Sequence, residues 1–147
     1  MSATSKEGTF LFKPMFYQAK RLIPPEQIAR GTYKGLDYYV LNLGAHPCAY
    51  IDVTDTSLHD IEYEKIDIVV HGGLTYSRSS LATVDKTGWF IGWDYNHYGD
   101  FTGADMMFPL LKLFHPELQF GGKQWTTEEI IDECLNVINQ MVKNQMV

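Results

Sequence analysis

From Ile66 to Ser77 the chain reads IDIVVHGGLTYS, and from Thr87 to Asp100 it reads TGWFIGWDYNHYGD. Each stretch opens on an apolar run and carries a histidine at its end. Residues 66–70 are mostly β-branched, which suits a strand, and Gly72 and Gly73 stop it behind His71. Residues 87–95 are aromatic and apolar, and lead into Asp94, His97 and Asp100. A glycine beside a histidine lets backbone or ligand approach closely, because no Cβ intervenes. If the two runs pair, their ends meet. The expectation is one concavity lined by His71, Asp94 and His97.

The rest of the chain is read outward from there. A length of 147 residues suits one domain with one sizeable core, and 45% hydrophobic with 14% aromatic residues excludes global disorder. The net charge of −6 argues against a nucleic-acid polymer as partner, since that needs clustered Lys and Arg. A single phosphorylated ligand remains compatible, because backbone amides and one Arg can hold it. No apolar run of the signal-peptide kind opens the sequence, and none approaches the roughly 20 residues of a membrane span. Cys48 and Cys134 match no metal spacing. A cytoplasmic protein with reduced thiols is expected, its oligomeric state unspecified.

In chain order, residues 1–9 are expected to be a flexible tail and 10–147 a single α+β domain. Pro24 to Arg30, with Gly31 behind it, resembles a short helical turn, although a surface connector is the preferred reading. Residues 35–43 read as a strand and 47–53 as another, joined by a turn at 44–47. In the second strand Cys48, Tyr50 and Asp52 share one face, and Ala49, Ile51 and Val53 the other. Residues 54–64 form a polar excursion, and 106–114 a short apolar block. Thr126 and Glu129 have the spacing of a capping box. Ile130, Cys134, Val137, Ile138 and Met141 then recur at helical steps, which predicts an amphipathic C-terminal helix. The fold class expected is a mostly antiparallel sheet packed by that helix.

Four strings in this order also carry a resemblance: HPCAYIDV (46–53), YEKIDIVVHGGLTYS (63–77), WFIGWDYNHYGD (89–100), and a helix with Glu133 beside Cys134. They resemble a family of small phage and bacterial proteins of uncharacterised function, with HPCGYV, VHGGLT and WWxGFDxAHxGD motifs before a helix. The resemblance runs from about residue 45 to the end. This chain departs from it at Ala49, in place of the family's Gly, and at Tyr95 and Asn96. Neither change removes an ionisable residue. The resemblance implies a shared site, and a phage setting implies interference with host defence.

Three chemistries fit the residues. Asp94, His97 and Asp100, with His71, offer mixed nitrogen and oxygen ligands of a type Zn, Mn or Fe accept, although the spacing is not diagnostic and no metal is favoured. His71, Asp94 and His97 also make an acid–base set for a metal-assisted or His–Asp hydrolase. No P-loop, nucleophile elbow or dinucleotide fingerprint specifies a cofactor. The leading reading is binding of a small polar ligand, preferably nucleotide-like, by Thr75, Arg78, Trp93, Tyr95 and Tyr98. Aromatic faces beside a few polar groups suit such a pocket. A stripe of Trp89, Ile91 and Trp93 is equally what a core requires, so a structural or protein-interaction module stands third.

Overall fold

The computed structural model describes residues 24–44, 46–96 and 123–147. Among them are five strands, β1 (Glu26–Tyr33), β2 (Leu36–Asn42), β3 (Pro47–Asp52), β4 (Tyr76–Arg78) and β5 (Phe90–Asp94), a 3-10 turn (Tyr63–Lys65) and one helix, α1 (Thr127–Lys143). The strands form one antiparallel sheet in the order β1-β2-β3-β5-β4. The architecture is α+β, as the sequence leads one to expect.

β1 corrects a sequence expectation, because the stretch expected to be a surface connector or a helical turn is an edge strand of the described sheet. Its exposure alternates residue by residue, with Ala29 and Tyr33 packed towards the core. An edge strand with one wet face needs few apolar residues, so its period-two signal is faint. The hairpin to β2 turns on Lys34 and Gly35, both at positive φ (50° and 82°), with Tyr33 opposite Leu36. Two left-handed residues in a two-residue loop match the twist of the flanking strands.

β3 and β5 form the centre of the sheet, with Cys48 opposite Asp94 and Ile51 opposite Ile91. Alternation separates their side chains as expected. Val40, Ala49, Ile51, Ile91 and Trp93 meet the buried stripe of α1, namely Ile130, Cys134, Val137, Ile138 and Met141. Tyr39, Leu41, Cys48, Tyr50 and Phe90 are buried on the opposite face, where Leu81 packs among them. A Cβ on Gly92 would lie 2.3 Å from the Tyr50 ring and 2.7 Å from the Ala49 carbonyl oxygen, so only glycine fits there.

The helix starts at the expected capping box. Thr126 Oγ1 accepts the Glu129 amide at 3.1 Å, and Glu129 Oε1 accepts the Thr126 amide at 3.0 Å. Residues 66–70 correct a second expectation. They alternate in burial, with Ile68 enclosed and Val69 exposed, yet belong to no strand. The Gln140 side chain of α1 takes the place of a strand neighbour. Its Oε1 accepts the Val69 amide at 2.8 Å and its Nε2 donates to the Val69 carbonyl at 2.6 Å. The strand that does follow the double glycine is β4.

The expected tail at 1–9 and apolar block at 106–114 lie outside the described residues. No described helix is long and apolar enough to cross a membrane.

Candidate functional site

Two clefts divide the residues expected to share one pocket. The first is built on the turn after residues 66–70. The Gly73 amide donates to the Val70 carbonyl at 2.9 Å, and Gly72 and Gly73 both have positive φ (70° and 81°). This reversal swings His71 over the end of β5, where its ring lies flat on Tyr95 with centroids 5.1 Å apart and planes 9° apart. Trp125, just before α1, completes the cluster at 4.8 Å from His71 and 5.0 Å from Tyr95. Three separate parts of the chain thus contribute one ring each.

Hydrogen bonds lock that cluster to α1. The Tyr95 hydroxyl accepts from Trp93 Nε1 at 3.0 Å and donates to Glu133 Oε1 at 2.5 Å. Glu133 Oε2 accepts the His71 amide at 3.3 Å. Burial and the bond to Glu133 push the Tyr95 phenol far above its ordinary pKa, so it stays a donor. Beyond the rings lies a cleft of about 570 Å³, lined by Val69, Val70, His71 and Trp125 and by Glu129, Asp132, Glu133 and Asn136 of α1.

Asp94 goes the other way. It sits opposite Cys48 on the helix-distal face of the sheet, because successive strand residues alternate and Tyr95 takes the helix side. Its Oδ2 accepts the Thr75 hydroxyl and its Oδ1 accepts the Asn96 amide, both at 3.1 Å. His71 and Asp94 therefore lie on opposite faces of β5 and do not form a base–carboxylate pair. Trp93 and Tyr95, expected to stack on a ligand, are 1% and 0% exposed and fill the core instead. His97, Tyr98 and Asp100 lie outside the described residues. Among the described residues, no group of three or more His, Cys, Asp or Glu side chains is placed to hold a metal ion.

The second cleft runs along β4 and encloses about 470 Å³. Thr75, Tyr76, Ser77, Arg78, Ser79 and Ser80 line it together with Glu62, Tyr63 and Trp89. Its frame is tied down. Ser77 is buried, accepts the Tyr63 amide at 3.0 Å and donates to Glu62 Oε2 at 3.2 Å. The Tyr76 hydroxyl donates to the Ser80 carbonyl at 2.5 Å, and Trp89 Nε1 donates to the Ile61 carbonyl at 3.0 Å. Arg78, Ser79 and Ser80 are exposed. Among the described residues the Arg78 guanidinium makes no hydrogen bond or ion pair, although its positive charge is felt by Tyr76, opposing the upward push of burial on that phenol.

Of the expected ligand-binding residues, Thr75 and Arg78 thus come together, with Thr75 linking the cleft to Asp94. Glu62, Tyr63, Trp125 and Glu133 were not among the expected site residues. The period-two and helical patterns that identify elements carry no information on which loop folds over which. Glu133 did stand out beside Cys134. The position of Trp125 beside the capping box is the other available signal. No family model matches this chain, and no curated protein or solved structure matches it either.

Proposed function

We propose that this chain binds a small anionic ligand, nucleotide-like by preference, in the cleft along β4. The observation that carries this reading is Arg78, an exposed guanidinium without a partner among the described residues, set beside three serines in an aromatic-walled cleft. A guanidinium fork suits a phosphate or carboxylate, forming parallel charge-assisted hydrogen bonds. Ser79 and Ser80 add hydroxyl donors beside it. Tyr63 and Trp89 supply apolar surface, as a base or sugar ring requires. Trp89 is anchored through its indole N–H, so its ring is held ready and loses little freedom on binding.

In this reading Arg78 fixes the anion, Thr75 orients the polar edge of the ligand, and the aromatic wall excludes water. The separation of His71 from Asp94 favours binding over a hydrolase built on that pair. The resemblance to phage and bacterial proteins suggests the setting, interference with host defence.

Thermal unfolding with adenosine and guanosine phosphates, against inorganic phosphate, tests the reading. A ligand that binds only the folded state raises the unfolding temperature, by an amount equivalent to about 2.7 kcal/mol at a hundred times its Kd. A nucleotide-dependent rise that disappears in Arg78→Ala is expected. No rise with any of these compounds, or a rise that Arg78→Ala leaves intact, would overturn it.

A further inference from the structure

The cleft along β4 holds a second charged group, and we propose that this group, the Glu62 carboxylate, makes the cleft selective for guanine nucleotides. The inference rests on the reading of Arg78 as the anchor of an anion. Glu62 lines the same cleft as Arg78, yet the two form no ion pair. The strand between them explains why. Ser77 sits opposite Ile91, which packs with the stripe of α1, and Arg78 sits opposite Phe90, which is buried on the far face. Cross-strand partners project to the same side of a sheet, so Ser77 faces the helix side and Arg78 the other. The buried Ser77 hydroxyl donates to Glu62 Oε2 at 3.2 Å and so keeps that carboxylate on its own side of the strand. The two charges flank β4 without neutralising each other.

The carboxylate is held beside an aromatic ring. One residue before it, the Ile61 carbonyl accepts the Trp89 indole N–H at 3.0 Å. One residue after it, the Tyr63 amide donates to Ser77 Oγ at 3.0 Å. Trp89 is fixed through its backbone as well, its amide donating to Thr54 Oγ1 at 2.9 Å and its carbonyl accepting the Val53 amide at 2.8 Å. Residues 61–63 therefore bring an acid to the indole that a base would stack on. Glu62 is exposed, and among the described residues its Oε1 accepts no hydrogen bond. That oxygen is open to an occupant.

The two charges select the ligand. An ionised carboxylate only accepts hydrogen bonds, so it requires donors and repels a phosphate. The phosphate end is thereby directed to Arg78 and the base end to Glu62. Guanine carries N1–H and an amino group side by side on its Watson–Crick edge, and a carboxylate can take both in parallel, as it takes a guanidinium. Adenine has a lone pair at N1 on that edge, and a carboxylate facing it meets an acceptor. A polar site whose partners are missing discriminates more strongly than an apolar one.

Isothermal titration of the full chain with guanosine, inosine and adenosine monophosphates tests this. The guanosine compound is expected to bind about ten- to a hundredfold tighter than the adenosine one, with inosine, which lacks the amino group, in between. Glu62→Gln is expected to weaken guanosine monophosphate about tenfold and to leave adenosine monophosphate unchanged, which also shows the cleft intact. Equal binding of the two by the wild type, a preference that survives Glu62→Gln, or an equal fall for both in that variant would overturn the proposal. Inosine monophosphate binding as tightly as guanosine monophosphate would overturn the two-point contact. Binding that depends on Arg78 but is indifferent to the base would remove guanine selectivity and leave the anion site standing, whereas no binding of any of the three would remove both.

Discussion

Phe90–Asp94 and Ile66–Val70 are runs of equal length, both apolar, both with side chains to alternate sides; the first is buried on both sides, the second on one. The first is paired on both sides, by β3 and β4, and is an interior strand of the sheet. Among the described residues the second is paired by no strand, and it is held by the Gln140 side chain. The difference teaches that alternation assigns each side chain to a side, while a ladder needs a neighbour in register. Backbone groups must be satisfied in either case. Residues 66–70 meet that demand through a helix side chain, at the point where the chain must climb off the sheet to bring His71 over Tyr95.

The largest expected effect lies in the paired run. Trp93→Ala removes a fully buried indole that also donates to Tyr95, and should cost about 3–5 kcal/mol in denaturant unfolding. Gly92→Ala comes next, because the new Cβ runs into the Tyr50 ring and a carbonyl that cannot move freely; about 1–3 kcal/mol is expected. Gln140→Ala should cost about 1 kcal/mol, since water can reach Val69 and replace the lost bonds. A Gln140→Ala loss as large as that of Trp93→Ala would break the comparison, by showing residues 66–70 to be as integral to the fold as β5.

Acid sharpens it. Asp52, opposite Phe90 at the end of β5, is buried, which raises its pKa. Hydrogen bonds from Lys86 and Thr54 outweigh that effect and hold its carboxyl below the ordinary value. A carboxyl whose folded pKa is depressed stabilises the fold fully above its unfolded pKa of about 3.9, and loses that contribution as pH falls through the folded value. Hydrogen-exchange protection at the Thr54 amide should therefore fall on acidification from pH 5 to pH 3, and Asp52→Asn should flatten the response. The Val69 amide depends on a neutral side chain and should retain its protection over the same range. Equal loss at both amides would show one cooperative unit in place of two.

Much of this fold is legible in the sequence where a local rule and the tertiary contacts agree. Thr126 and Glu129 announce the start of α1, and the alternation across residues 48–53 assigns each side chain to its face. β1 was misread because Pro24 and Pro25 resemble a helix start, while its own pattern is diluted by a wet edge. The candidate site was legible only in part. Thr75 and Arg78 are close in sequence and remain close in space. His71 and Asp94 were joined on the premise that residues 66–70 pair with β5. Once β4 pairs there, alternation sends Tyr95 towards His71 and Asp94 away. Trp89, Tyr63 and Glu62 come from loops whose path depends on long-range packing, such as the bond from Trp89 to Ile61, which no local pattern encodes.

The central claim is that Arg78 makes the cleft along β4 an anion site. Isothermal titration of the wild-type chain and of Arg78→Ala, with the nucleotide giving the largest thermal shift, tests it most directly. Losing charge-assisted bonds worth about 1.5–3 kcal/mol should weaken binding by about ten- to a hundredfold. Equal affinity for the two proteins, or no heat of binding to the wild type, would contradict the account.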